Sequence, residues 1–389
     1  MESGVVTRRQ PRQSPPRRNP QKDATALVRL RRISLVAAVI VLIPVISSFI
    51  GMATEPSNTA LGIRAVEWLR NNGAAGLVAK VESVYYSLTA PAKGGPGLHA
   101  LPKVGYGVAG AGALAAGEYR PPRVPSILHP TLPGEGLWHA TRPGFAANPP
   151  VLVTTLRDQP EYPRVVAGLA WINTKRAKVQ LNPGRLEPSV ELPRGEMKVP
   201  PWARHSLLAT FNSGFKLADA KGGFALNGHT YAPMHNGQGT IVGYTGGRVD
   251  VINWTYGPTV PAGVSFARQN LPLIVENGKP APNIENTGEW GATVGNAVLV
   301  WRSSVGVDAH GNLIYAAGEN QTVGSLAKAL IQAGAVRAME LDINSYWTSF
   351  ITYGATGAEE PKNLLAGMDR PATRYLETDD RDFFTVNLR

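Results

Sequence analysis

The sequence has 389 residues, 43% of them apolar, with 42 glycines, 32 prolines and no cysteine. That length suits one large or two modest domains, and the composition favours turns and β-structure; without a thiol there are no disulfides, thiolate metal sites or cysteine nucleophiles. The net charge of +11 is concentrated in residues 1–32 (nine bases, two acids, +7), and the remaining 30 bases and 26 acids (+4) make a body too mildly basic, and without a reading motif, to indicate nucleic-acid binding.

In chain order, residues 1–32 are rich in Pro, Arg and Gln and read as a disordered basic tail. Ile33–Ala53 follows without a charge, long enough to cross a bilayer as a helix. Pro44 and Gly51 are tolerated there. The run is longer than a signal-peptide core, and "MATEPSN" is a poor cleavage site, so the reading is an uncleaved single-pass anchor. The basic flank then stays in the cytoplasm and residues 54–389 lie outside. Residues 60–88 show helical spacing, broken at Gly73 and Gly76 into two predicted helices. With the Gly/Pro/Ala-rich stretch up to 136 they read as a stalk and linker. "GYGVAG", Gly105–Gly110, matches the G-x-G-x-x-G pattern but lacks the preceding strand and following helix that a dinucleotide site needs.

From Leu137 the texture changes. Short β-type runs recur ("VLVTTL", "VVAGLAWIN", "SLLATFN", "GTIVGY", "RVDVINW", "LPLIVEN", "NAVLVW", "NLIYAAG"), several meeting at "TGGR", "ENGK" and "AHGN" turns. One helix is predicted from a Thr322 cap to Gly334, and "AVRAMELD" resumes as a strand. The expectation is an α+β domain over 137–389 with a large, mostly antiparallel mixed sheet and few helices.

The sequence contains no P-loop, nucleophile elbow, H-E-x-x-H or EF-hand pattern, and its seven His residues are scattered. No cofactor is required by these residues; an oxygen-ligand Ca²⁺ or Mg²⁺ site stays open. Three places carry candidate chemistry. Asn212 ends a β-run beside Gly214, which fits either ligand approach or an ordinary Asx turn. Arg302 interrupts an apolar run, as a surface residue or an inward anion ligand with a planar fork. Glu340 and Asp342 share one strand face by alternation, roughly 6–7 Å apart, as a solvated edge or an acid–base pair.

These elements in this order ("TFNSGFK", "VWRSSVGVDAHGN" and a helix leading to "AMELD", with "GGFALNGHTYAPM" and "LPLIVENGKP" between) resemble the phosphodiester glycosidase family over about 206–350. The resemblance implies cleavage of a sugar–phosphate linkage. It assigns Arg302 to the anion, Asp342 and then Glu340 to the acid–base or nucleophilic role, and Asn212 to the substrate. Where the family has a glycine triplet this chain has Ile343-Asn344-Ser345, followed by Tyr346 and Trp347. Asn344 and Ser345 are then expected to supply side-chain hydrogen bonds, Tyr346 and Trp347 a stacking platform, and His235 an additional polar group. The expected partners are a cell-envelope glycan and, through 33–53, the lipid bilayer. The alternatives are an envelope protein that binds glycan without cleaving it, and a structural member of an envelope-assembly complex.

Overall fold

The computed structural model describes residues 20–108, 118–142, 149–291, 298–354 and 358–389. These form two compact units, up to Pro56 and from Ser57 to Arg389.

The first unit is one helix, α1 (Pro20–Thr54), with a span at Val28–Thr54 long and apolar enough to cross a membrane. Residues 1–19 of the basic tail lie outside the described residues. Residues 20–32, expected to be disordered, are helical. Pro20 stands at the first helical position, where its missing N–H costs nothing, and no breaker follows before Pro44.

The second unit begins with α2 (Leu61–Leu69) and α3 (Ala75–Thr89), separated where Gly73 takes φ +88°. Residues 57–60, read as stalk, are fixed to the C-terminal part of the chain. Ser57 Oγ and Thr59 Oγ1 donate to Asp380, and Asn58 Nδ2 donates to Asp379. Close packing excludes a side chain at Gly105: at φ +65° an added Cβ would lie 2.8 Å from the His139 Cβ. Ala109 and Gly110, the end of the same motif, lie outside the described residues.

Among the described residues three antiparallel sheets follow. The largest has nine strands, and its centre runs Ala167–Ile172, Leu313–Gln321, Val300–Asp308, Ala335–Glu340, Leu273–Glu276. A five-stranded sheet centres on Gly239–Tyr244 and Val264–Gln269, another on Leu207–Asn212 and Phe383–Leu388. The turn chemistry is as the sequence indicates. Asn277 and Gly278 both have positive φ (+52° and +70°), as a type I′ hairpin requires. Helix α4 (Val323–Gln332) has a reciprocal capping box between Thr322 and Ser325 and is followed by Gly334 at φ +98°.

The large sheet is buried on both faces. On one, Val305, Val307, Tyr315, Met339 and Leu341 pack with residues of the two smaller sheets, among them Phe211, Phe266 and Phe384. On the other, Trp171, Ile274 and Ala338 pack beneath Val323, Leu326 and Leu330 of α4 and beside Trp290. Every residue of Val300–Asp308 is buried, so a polar side chain there needs a partner inside the protein.

Candidate active site

Alternation along Val300–Asp308 sends Arg302 and Ser304 to one face and Ser303 and Val305 to the other. On the first face the Arg302 guanidinium donates through Nη1 to Glu340 Oε1 at 2.5 Å and to the Trp290 carbonyl at 3.3 Å, and through Nε to the Gln321 carbonyl at 3.2 Å. Both side chains of this ion pair are closed to solvent, at 1% and 0% exposure. Arg302 Nη2, Ser304 Oγ and Glu340 Oε2 have no hydrogen-bond partner among the described residues. Burial pushes the Glu340 carboxyl up to about 7, outweighing the Arg302 charge beside it.

The same face carries a second buried acid. Gln321 Nε2 donates to Asp158 Oδ1 at 3.2 Å, and Ser325 Oγ donates to Gln321 Oε1 at 2.6 Å. Burial raises Asp158 from 3.8 to about 7. The folded protein therefore keeps a proton that the unfolded chain releases near pH 4, and its stability falls as pH rises from there through about 7. Asp158→Asn is expected to flatten the decline in Tm between about pH 5 and 8. An unchanged slope would show that this carboxyl titrates normally.

On the second face Ser303 joins two candidates. Its hydroxyl donates to the Asp342 carbonyl at 2.7 Å and accepts from Asn212 Nδ2 at 3.0 Å. Asn212 Oδ1 accepts from Tyr315 OH (2.9 Å) and from the Ser349 amide (3.0 Å). Asn212 is thus fully engaged, with its Nδ2 and Oδ1 tying Ser303, Tyr315 and Ser349 together.

Glu340 and Asp342 do not act as a pair with one partner. Ser303 accepts from the Leu341 amide but donates its own amide to the Asp342 carbonyl, so two residues oppose one. This bulge breaks the alternation expected from sequence. The Asp342 carboxylate meets Arg381 Nη2 at 2.8 Å and accepts the Asn344 amide at 3.0 Å. Burial raises its pKa, while Arg381 opposes the rise.

The segment that replaces the glycine triplet is ordered by its own side chains. Asp342 accepts the Asn344 amide and Asn344 Oδ1 accepts the Tyr346 amide, two successive Asx turns. The Tyr346 hydroxyl accepts from the Ala60 amide, and its ring lies 4.6 Å from the Arg370 guanidinium carbon. Trp347 is enclosed at 5% exposure, with Arg381 and Arg374 at 5.0 and 5.3 Å from its ring. Ser345 faces a cavity of about 480 Å³, mouth included, that Tyr85, Tyr86, Trp301, Glu319 and Asp369 also line. His235 is exposed on another sheet's loop and makes no hydrogen bond or ion pair to these residues. Among the described residues no group of three or more His, Asp or Glu side chains is placed to hold a metal ion.

Residues 206–342 match the family model for phosphodiester glycosidases. Over this stretch, 137 of the 389 residues, the chain is similar to that family. The matched stretch holds Asn212, Arg302, Ser303 and Glu340 and ends at Asp342, so the Asx-turn loop and Arg381 fall beyond it. No curated protein matches the chain. Solved structures that it resembles include a hypothetical protein from Synechocystis, with 17% identity and a TM-score of 0.35, covering 58% of this chain and 59% of that one. Another is the zebrafish N-acetylglucosamine-1-phosphodiester alpha-N-acetylglucosaminidase catalytic domain, auto-inhibited by pro-peptide (15%, TM-score 0.38, 61% and 82%). A third is an exported protein from Burkholderia pseudomallei (13%, TM-score 0.35, 59% and 75%).

Sequence reasoning missed Ser303, which links Asn212 to Asp342, and Arg381, which neutralises Asp342. The signal for Arg381 was the charged run "TDDRD", Thr378–Asp382, immediately before the last strand. Three of its acids also hold buried arginines or the 57–59 segment: Asp379 binds Arg370 and Arg374, Asp380 binds Ser57 and Thr59, and Asp382 binds Arg268.

Proposed function

We propose that the chain is a membrane-anchored, outward-facing hydrolase that cleaves a sugar–phosphate linkage in cell-envelope glycans. Residues 1–32 lie in the cytoplasm, 33–53 cross the bilayer, and the unit from Ser57 onward faces outside. The observation that carries this reading is the pair of unlike carboxyls at the end of one family-matched strand. Glu340, near 7 beside Arg302, is suited to give a proton to a leaving oxygen at neutral pH. Asp342, facing Arg381, is suited to stabilise an oxocarbenium-like centre or attack it. Arg302 takes the anionic leaving group through its unpartnered Nη2. The cavity beside Ser345, with the rings of Tyr86 and Trp301, seats the sugar. Asn212 and Asn344 hold the geometry.

The test is sugar release by the full-length protein, in detergent, from phosphodiester-linked sugars and from purified envelope. Release of free sugar at a rate proportional to enzyme is expected. Glycan binding without release would sink the hydrolase reading. It would favour a non-catalytic binder, a second reading motivated by the burial of Arg302, Glu340, Asn212 and Asp342 at 5% exposure or less.

A further inference from the structure

Helix α3 carries an apolar stripe that the fold leaves uncovered. Leu77, Val81, Val84, Tyr85 and Leu88 are 59–80% exposed. At 3.6 residues per turn they fall within about 100° of arc, the width of a core-facing stripe. The helix is nonetheless seated on the protein. Val78 is buried, the half-buried Glu82 pairs with Arg70, and Tyr86 lines the cavity beside Trp301. Elsewhere in the unit the large exposed apolar side chains, such as Ile127, Leu186, Trp202 and Tyr256, are scattered along the sequence. Such scattered residues need no explanation, whereas a continuous stripe marks a contact surface.

We infer that this stripe of α3 lies in the interfacial layer of the bilayer that α1 crosses. The inference rests on reading α1 as an anchor. The covalent chain argues for lipid as the occupant: only Glu55 and Pro56 separate the end of the apolar span from Ser57, and two residues reach about 7 Å. Ser57 and Thr59 are in turn fixed to Asp380, so the start of this unit has little slack. The composition agrees. Tyr85 is the amphipathic ring favoured at headgroup depth, and the exposed Lys80 flanks the stripe where it meets anionic headgroups.

The absence of cysteine makes the test direct. Full-length protein in anionic phosphatidylglycerol/phosphatidylcholine liposomes is labelled with an environment-sensitive fluorophore at one introduced cysteine: Leu42→Cys in α1, Leu88→Cys in the stripe, or Ser87→Cys beside it. The expected result is a blue shift and quenching by lipid-borne nitroxides at positions 42 and 88, but not at 87. Quenching at 42 without quenching at 88 overturns the inference and leaves the anchor standing. Absence of quenching at 42 removes the anchor and the inference with it. A concentration-dependent blue shift at 88 that lipid nitroxides do not quench also overturns it, because a second copy then covers the stripe.

Discussion

Arg302→Met is expected to destabilise the unit by about 3–5 kcal/mol, the cost of leaving one member of a buried ion pair without its partner. Both side chains are closed to water, and no other cation is bonded to the Glu340 carboxylate among the described residues. Methionine fills much of the arginine stem's volume, so the loss is chiefly electrostatic. The effect has a pH signature. The Glu340 carboxyl already lies near 7 when folded against an ordinary value of 4.5, and removing Arg302 raises it further. A group with a raised folded pKa binds its proton more tightly in the native state, so stability is greatest at low pH and falls as pH rises through the folded value. The deficit should therefore be larger at about pH 8 than at pH 5 in urea denaturation of the full-length protein. The double variant Arg302→Met/Glu340→Leu should recover most of the loss, because no charge is then left buried. A single variant within about 1 kcal/mol of wild type at pH 8 would show that water reaches Glu340.

How far the sequence discloses this protein depends on the range of the interaction. Local chemistry is legible. Asn277-Gly278 specifies its hairpin, Thr322 and Ser325 cap α4, and Gly73 ends α2 because each acts within a few residues. The family resemblance likewise rests on short motifs, and the stretch that matches the family model, 206–342, contains the Asn212, Arg302 and Asp342 that those motifs single out. Partnership across strands is not legible. Glu340 meets Arg302 across 38 positions and Asp342 meets Arg381 across 39, through registers that only the assembled sheets define. One extra residue at the Leu341–Asp342 bulge was enough to separate two carboxylates that simple alternation placed together. The connection of residues 57–60 to Asp379, Asp380 and Tyr346 is longer in range still, and the short polar run Ser57-Asn58-Thr59 gives no hint of it.

Asp342→Asn is expected to lower sugar release by about 10²–10³-fold, the usual cost of removing one group that stabilises charge in the transition state. Loss of activity alone does not establish that role. Asparagine keeps an acceptor for the Asn344 amide but leaves the Arg381 guanidinium buried without its anion, which also destabilises the site. The decisive companion is Arg381→Gln, which keeps the carboxylate and removes the charge that holds its pKa down. Burial raises the Asp342 carboxyl and Arg381 opposes that rise, so without Arg381 it should titrate higher. If Asp342 works ionised, the acid limb of the kcat/KM profile moves to higher pH, and activity recovers there. A merely structural Asp342 predicts a uniform drop with an unmoved profile. Equal release by wild type and Asp342→Asn would assign the chemistry elsewhere, first to Glu340, whose Gln variant should then carry the larger defect.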